Sequence, residues 1–313
     1  MNAPILTVTL NPALDLSARI SLMVPGPKLR LEQTAKEPGG GGVNVARVIH
    51  ELGGAVSAWV ALGGAAGVEH LGLLQAQGLQ VSVFDCPGET RQNWAIMDRE
   101  SQQYRLQLPG PHWDEMTGQS ARAHIAAQPS DLVVLSGSQP PGLEAQFPQR
   151  LSAEIGAQRL VVDISGTALQ NVLATSDLGL RALRLDQAEA ETQAGTALRT
   201  PTESARYAEN LRARGVADLV AIACGAKGNV LAAPEGRFHC IPPQVPVASK
   251  IGAGDSFTGA FTLALAQGRS ARDALVAGTA AAAATVMSPG TALCRATDVI
   301  SLQAGCKCVT LDA

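Results

Sequence analysis

A repeating alternation of short apolar strands and helical segments limits the folds open to this chain. Residues 132–135, 160–164, 180–185 and 219–223 are predominantly apolar runs, and each leads through a polar loop into a helical segment. Strands that are apolar throughout are buried on both faces, which is typical of a parallel sheet covered by helices. The sequence therefore predicts an α/β fold with a mainly parallel central sheet and helices on both of its faces.

Polar residues cluster directly after several predicted strands, at 136–142, 186–189 and 224–228. In open α/β sheets ligands bind outside the carboxyl ends of the strands, so these clusters are expected to meet at one ligand site. The net charge is only −3. Such a charge offers no general attraction to nucleic acids or anionic membranes, so local basic residues must hold any anionic ligand.

Two stretches break the α/β alternation. Residues 12–37 contain short strand-like pieces that we expect to be exposed, and residues 89–108 indicate a hairpin that turns around 98–101. Strands without covering helices need partners, so we expect these stretches to form a small β-sheet beside the main domain, here called the lid. The predicted organisation is one domain over residues 1–313, with the lid built from these two segments.

Two glycine-rich segments, 39–42 and 252–254, run directly into predicted helices. Glycine lets the backbone approach a ligand closely, and the free N–H groups of a helix start bind anions. Asp255 follows the second segment. It could be the N-cap of the helix, which local preferences alone favour, or a base beside a bound phosphate. The chain contains neither a P-loop motif nor the dinucleotide fingerprint.

The two glycine segments resemble the signatures of the ribokinase-like (PfkB) sugar kinases. Residues 38–47 are similar to the N-terminal signature, and residues 247–260 to the C-terminal one. Further similar segments lie at 9–15, 28–30, 90–93, 103–105 and 136–142. Within the family the combination resembles the minor bacterial 6-phosphofructokinases. The related 1-phosphofructokinases and tagatose-6-phosphate kinases usually carry a lysine where this chain has Gly41.

This resemblance implies a ribokinase-like fold and an ATP-dependent kinase that converts fructose 6-phosphate to fructose 1,6-bisphosphate. Asp255 would be the catalytic base, and the backbone N–H groups around Gly252, Ala253 and Gly254 would hold the transferring phosphoryl group. Activity as a 1-phosphofructokinase or a tagatose-6-phosphate kinase is the alternative within the family. A non-catalytic nucleotide- or sugar-binding regulator is the alternative from another class, and an altered segment at 184–189 motivates it.

The resemblance also implies a set of substrate contacts. The predicted ligands of the sugar hydroxyls are Asp15, Gly40, Gly41 and Asn44. The predicted ligands of the sugar's phosphate are Lys28, Arg30, Arg91 and Arg105, with Ser138 as a further contact. The alternatives are a turn residue for Asp15, a helix-start residue for Asn44 and solvated surface charge for the basic residues.

The nucleotide side departs from the family pattern Lys-Pro-Asn-x-x-Glu, whose Asn and Glu help to hold Mg²⁺, often through water. Here Arg184, Leu185 and Asp186 replace the first three residues, and Glu189 is retained. Aspartate is a hard-oxygen ligand, so we expect Asp186 and Glu189 to bind Mg²⁺ with an altered dependence on the divalent metal. The predicted nucleotide-binding residues are Arg184, Asp186, Cys224, Gly225 and Gly228, with Cys224 standing where the family usually has serine.

Three other features have open interpretations. Asp163, near a strand end, could join the phosphate and metal network or be structural. The alanine-rich stretch 280–284 could leave room for adenine or be close-packed core, and core is the interpretation we favour. Cys306 and Cys308 form a C-x-C pair without a second pair at zinc spacing, so reduced structural thiols are favoured over a metal site.

The predicted partners follow from the same observations. In the resembling enzymes a lysine at the position of Lys28 reaches into the neighbouring subunit, so we expect a homodimer in which two lids cover each other's edges. The N-terminus shows no signal peptide, and no uncharged run has the length of a membrane span. We therefore expect a cytoplasmic protein that uses ATP and Mg²⁺. The need for a monovalent cation is left open.

Overall fold

The computed structural model describes residues 4–100 and 102–312. Its strands are β1 (Ile5–Thr9), β2 (Ala13–Arg19), β3 (Glu32–Gly39), β4 (Val56–Leu62), β5 (Gln80–Asp85), β6 (Arg91–Met97), β7 (Gln103–Gln107), β8 (Leu132–Gly137), β9 (Leu160–Ile164), β10 (Leu180–Leu185), β11 (Ala217–Ala223), β12 (Asn229–Ala233), β13 (Gly236–Ile241) and β14 (Lys307–Leu311). Its α-helices are α1 (Gly41–Glu51), α2 (Gly64–Ala76), α3 (Glu115–Ala126), α4 (Phe147–Ile155), α5 (Gly166–Ala174), α6 (Gln187–Ala194), α7 (Pro201–Ala213), α8 (Ala253–Ala266), α9 (Ala271–Val286) and α10 (Ala296–Gln303).

The main sheet has ten strands in the order β14-β13-β12-β11-β10-β9-β8-β1-β4-β5. Neighbouring strands from β11 to β5 are parallel, and β12, β13 and β14 add an antiparallel edge. Strands β1 and β9 are buried along their whole length because helices cover both faces. Helices α3–α7 pack on one face, and α1, α2 and α8–α10 on the other. The predicted parallel sheet is therefore confirmed, with an antiparallel edge that the sequence did not indicate.

The lid is a separate four-stranded sheet in the order β3-β2-β6-β7. The predicted hairpin is confirmed by the antiparallel pairing of β6 and β7, although Ser101 of its predicted turn lies outside the described residues. The expected pairing of the two lid segments is also confirmed, since β2 runs parallel to β6. The expectation of exposed strands is wrong for β2, because Leu14 and Leu16 are buried and pack with Ala66 of α2.

This arrangement determines which lid side chains face the main sheet. Successive residues of a strand point to opposite faces, so Leu14 and Leu16 turn toward α2 while Asp15 turns the other way.

Within the described parts of the chain, no helix is both long enough and apolar enough to cross a membrane.

Candidate active site

A cleft of about 820 Å³ lies between the lid and the carboxyl edge of the main sheet. It is lined from both sides by residues that the sequence analysis selected. These are Asp15, Gly40, Gly41, Asn44, Arg91, Arg105, Ser138, Gly252 and Asp255. Segments that are distant in the chain therefore converge on one cavity.

Helix α8 begins at the second glycine segment. Gly252 is its N-cap and has a left-handed backbone conformation with φ of 76°, so Asp255 is the third residue inside the helix. The interpretation of Asp255 as the N-cap is therefore wrong. The first N–H groups of α8 have no partner within the helix, and Gly252 and Asp255, which flank Ala253 and Gly254 in the chain, both line the cleft.

The Asp255 carboxylate is held by a long-range contact. Its Oδ2 accepts a hydrogen bond of 2.8 Å from Nδ2 of Asn44, on α1. Burial and the nearby Asp163 carboxylate raise the pKa of Asp255 to about 7, against the opposing effects of Asn44 and Arg184. A carboxylate with this pKa can accept a proton near neutral pH, which suits a general base.

A largely buried ion pair between Asp163 and Arg184 supports the start of α8 from the strand ends. Asp163, at the end of β9, accepts hydrogen bonds of 2.6 Å from Oγ1 of Thr258 and 3.3 Å from Nη1 of Arg184. Arg184 lies against the helix start, since a Cβ on Gly254 would lie 2.9 Å from Nη1 of Arg184. Its guanidinium therefore adds a positive charge beside the free N–H groups of α8.

The lid side of the cleft presents Asp15 and the first glycine segment. Oδ1 of Asp15 accepts a hydrogen bond of 2.9 Å from Nδ2 of Asn93, and burial raises the pKa of Asp15. Gly40 has φ of 126°, which only glycine adopts readily. A Cβ on Gly41 would lie 2.5 Å from Oγ of Ser136, so the carboxyl end of β8 leaves no space for a side chain there.

The predicted phosphate ligands fall into two groups. Arg91 and Arg105 line the cleft, and Nη2 of Arg91 donates to the carbonyl oxygen of Asn11 at 3.1 Å. The buried Nε of Arg91 has no hydrogen-bond partner among the described residues. Lys28 and Arg30 instead lie exposed in the loop between β2 and β3 and do not line this cleft. The structure therefore does not bring them to the site of their own chain.

Asp186 and Glu189 form a reciprocal capping box at the start of α6. Oδ1 of Asp186 accepts from the Glu189 N–H at 2.8 Å, and Oε2 of Glu189 accepts from the Asp186 N–H at 2.9 Å. Burial, with a further effect of the Asp186 charge, raises the pKa of Glu189. The second oxygen of each carboxylate stays outside the box, so helix capping leaves one hard-oxygen donor on each residue.

The remaining nucleotide residues lie on the loop between β11 and β12. The Cys224 side chain is 6% exposed and packs in the core, and its role as a nucleotide contact stays a prediction. Gly225 and Gly228 both have positive φ. A side chain on Gly228 would collide with the carbonyl oxygen of Cys240. The alanines at 280–284 are largely buried, as the core interpretation requires.

Several cleft residues were not selected from the sequence. Asn93, which orients Asp15, belongs to a segment similar to the family but was not chosen. Ser165, Ser249 and Lys250 also line the cleft. For Lys250 the sequence did contain an indication, since a basic residue stands two places before Gly252.

Comparisons with known proteins agree with this geometry. Residues 9–298 match the pfkB family of carbohydrate kinases. The ATP-dependent 6-phosphofructokinase isozyme 2 of Mycobacterium tuberculosis (strain ATCC 25618 / H37Rv) is 35% identical over 309 residues, which are 94% of this chain and 87% of that protein. The isozyme 2 of Escherichia coli (strain K12) is 33% identical over 304 residues, 96% of this chain and 98% of that protein.

Solved structures confirm the predicted ribokinase-like fold. The crystal structure of Escherichia coli phosphofructokinase-2 in complex with potassium has a TM-score of 0.91 and 32% identity, and covers 97% of this chain and 99% of that one. The same enzyme in complex with fructose-6-phosphate has a TM-score of 0.88 and 31% identity, with the same coverage. With both glycine segments at the cleft and a family match over most of its length, the chain belongs to the pfkB family of carbohydrate kinases.

Proposed function

We propose that this chain is an ATP-dependent 6-phosphofructokinase. The observation that carries the proposal is the layout of the cleft, with Asp255 at a helix start on one side and Arg91 and Arg105 on the other. A phosphorylated sugar held by its phosphate at the two arginines would direct its far hydroxyl toward Asp255. The relatives named 6-phosphofructokinase isozyme 2, at 33–35% identity, support the same substrate.

The proposed reaction is an in-line phosphoryl transfer. The Asp255 carboxylate takes the proton of the C1 hydroxyl, the hydroxyl oxygen bonds to the γ-phosphorus of ATP, and the bond to the bridging oxygen breaks to release ADP. Charge develops on the transferring phosphoryl oxygens, and donors already in place stabilise it. The N–H groups at the start of α8 and the Arg184 guanidinium are these donors.

Asp186 and Glu189 are the residues that would hold Mg²⁺. Their fit rests on the oxygens outside the capping box, since carboxylate oxygen is the ligand type that Mg²⁺ prefers. The ion would neutralise phosphate charge when bound. Because a relative was crystallised with potassium, we also propose that a monovalent cation supports activity. Comparing the activity in potassium salts with that in sodium salts tests this proposal.

Gly41 favours the 6-phosphofructokinase activity over the two alternatives within the family. Those relatives usually carry a lysine at this position. In this chain a side chain there is excluded, because a Cβ on Gly41 would lie 2.5 Å from Ser136 Oγ and 2.7 Å from the Gly137 backbone N. A coupled ADP assay with fructose 6-phosphate, fructose 1-phosphate, tagatose 6-phosphate and fructose tests the assignment. We expect clear preference for fructose 6-phosphate, and equal turnover of fructose would contradict the phosphate site.

The role of Asp255 has its own test. We expect Asp255→Asn to lower kcat by about 10² to 10⁴-fold, the range for loss of a general base. Binding of ATP and fructose 6-phosphate, measured by calorimetry, should persist, since the fold and other contacts remain. Undiminished turnover would refute the mechanism. ATP binding by the wild-type chain without turnover on any sugar would favour the regulator.

We propose further that the chain works as one domain whose lid forms a homodimer. Two observations support this proposal. Leu22, Leu29, Leu106 and Leu108 of the lid segments are exposed apolar side chains, which a second lid would cover. Lys28 lies outside the cleft of its own chain, so a partner's cleft is where it would act. The cytoplasmic location stays a prediction.

A further inference from the structure

A fully buried histidine lies behind the first glycine segment. His70 belongs to α2, which packs against the lid strands β2 and β3, and its side chain is 0% exposed. Nε2 of His70 lies 3.0 Å from the carbonyl oxygen of Gly39, the last residue of β3. His70 does not line the cleft, so any role in substrate binding must act through Gly39.

The contact with Gly39 fixes which ring nitrogen of His70 carries the hydrogen. A carbonyl oxygen can only accept, so Nε2 is the donor. The other ring nitrogen, Nδ1, is buried and has no hydrogen-bond partner among the described residues. Burial lowers the pKa of His70, which keeps the ring neutral. The neutral ring therefore has one N–H donor, and it is directed at Gly39.

The carbonyl group that His70 holds belongs to the peptide that opens the glycine segment. Gly39 pairs with Ala13 of β2, and the next residue, Gly40, is the N-cap of α1. This peptide bond is trans, so its C=O and N–H groups point in opposite directions. Because the C=O of Gly39 is directed at His70, the N–H of Gly40 points away from that ring. Gly40 itself lines the cleft.

The backbone of Gly39 also supports a predicted sugar ligand. A Cβ on Gly39 would collide with Oδ2 of Asp15, so the glycine backbone and this carboxylate are in contact. The other oxygen, Oδ1 of Asp15, accepts the hydrogen bond from Nδ2 of Asn93. The Asp15 carboxylate is therefore held between the Asn93 amide on one side and the Gly39 backbone on the other.

We propose that His70 is a positioning residue for the sugar, which holds the Gly39–Gly40 peptide and, through it, the Asp15 carboxylate in the orientation that receives the sugar hydroxyls. This inference rests on the proposed function, in which Asp15, Gly40 and Gly41 bind those hydroxyls. A histidine that only filled the core would contribute to stability without distinguishing between the two substrates. The Gly39 contact instead predicts an effect on the sugar and not on ATP.

Two substitutions at His70 test the proposal. Glutamine places an N–H donor as many bonds from Cβ as Nε2 of histidine does, whereas leucine has no donor. We expect His70→Leu to raise KM for fructose 6-phosphate by about 5- to 10-fold, through loss of one buried hydrogen bond, and to leave KM for ATP unchanged. His70→Gln should return KM for fructose 6-phosphate close to the wild-type value. Equal changes in both KM values, an unchanged KM for the sugar in His70→Leu, or no rescue by glutamine would overturn the proposal.

His239→Leu is the matched control. His239 is 9% exposed and lies in β13, outside the lid, and its Nε2 is 2.7 Å from the carbonyl oxygen of Lys227. His239→Leu therefore removes the same kind of contact, and it should lower the free energy of unfolding as His70→Leu does. We expect KM for fructose 6-phosphate to stay at the wild-type value in this control. An equal rise there would show that the effect is general, and it would refute the role of His70.

A double-mutant cycle tests the route through Asp15. If His70 acts on the sugar through Gly39 and Asp15, then His70→Leu combined with Asp15→Asn should raise KM for fructose 6-phosphate by less than the product of the two single effects. A full product would refute this route.

Failure of the proposed function is recognisable separately. The wild-type chain alone would then prefer another phosphosugar, and the same variants would be compared on that sugar. Nitrogen-15 NMR of the His70 ring near neutral pH, assigned with His70→Gln, requires no turnover. It should show the proton on Nε2, and a proton on Nδ1 would overturn the proposal whatever the substrate.

Discussion

Asp255 owes its raised pKa to an imbalance among the groups around it. Removal from bulk water and the Asp163 carboxylate disfavour the ionised form, and Asp15 adds a smaller effect in the same direction. The Asn44 amide and the Arg184 guanidinium favour ionisation but do not compensate. Residues contributed from four different elements therefore set the pKa of this proposed base near neutrality.

The pH dependence of catalysis follows from this balance. The ionised carboxylate is the active form, so kcat/KM should rise with pH to a plateau above about 7. Asn44→Ala removes a hydrogen bond that lowers the pKa, so the midpoint should move to higher pH. Asn93→Ala is the matched control, because it also removes a hydrogen bond from an amide to a carboxylate, but that carboxylate belongs to Asp15 and not to Asp255. A midpoint that is the same in wild type and Asn44→Ala would contradict the assignment.

The same pKa predicts a stability effect. The pKa of Asp255 is raised from 3.8 to about 7, so between these values the folded chain binds more protons than the unfolded chain and stability falls as pH rises. Asp255→Asn removes this cost. Its free energy of unfolding should exceed that of wild type by about 2 to 4 kcal/mol at pH values above 7, since cleft water screens part of the effect.

Urea unfolding at two pH values checks this prediction. Below the unfolded-state pKa of 3.8 both states are protonated, so the variant and wild type should then be equally stable. A stability difference of the same size at both pH values would show that the substitution acts through packing and not through ionisation.

At the scale of elements, helix starts combine structural and chemical roles. The N-cap of helix α8 is Gly252, which has no side chain that could accept a hydrogen bond from the first N–H groups. Helix α6 is capped by Asp186 and Glu189 in a capping box. The first arrangement leaves donors free for a phosphoryl group, and the second ties up only one oxygen of each carboxylate.

Two substitutions at Asp186 separate capping from metal binding. Asparagine is as good an N-cap as aspartate, so Asp186→Asn should leave thermal stability nearly unchanged, whereas Asp186→Ala should cost about 1 kcal/mol. If Asp186 holds Mg²⁺, Asp186→Asn should alter the activity curves against Mg²⁺ and Mn²⁺ despite its intact cap. Identical metal curves for wild type and Asp186→Asn would refute the metal role.

At the scale of the whole molecule, the proposed dimer would make the lid of one chain part of the other chain's site. Its outer strand β7 carries Leu106, half of whose surface is exposed. An edge strand with exposed apolar side chains is a surface for pairing with another chain. The lid also carries Lys28 away from its own cleft, so assembly and substrate binding are expected to be linked.

Leu106→Asp tests this link. We expect it to shift the chain from dimer to monomer in sedimentation experiments, because a buried charge without a partner disfavours the interface. KM for fructose 6-phosphate should rise to at least the value found for Lys28→Ala. Met116→Asp is the matched control, since Met116 is an exposed apolar residue on α3, outside the lid. A monomer with unaltered KM would contradict the shared site.

The sequence by itself determined the fold class, the lid pairing and the two glycine segments. Uniformly apolar strands require cover on both faces, and strand pieces without helices require each other, so local pattern is enough for these features. The tertiary structure decided which side chains meet. Asp255 contacts Asn44 across 211 residues, its helix is capped by Gly252, and Cys224 turns into the core. Local sequence preferences cannot predict these contacts, because burial and electrostatic environment depend on residues that only folding brings together.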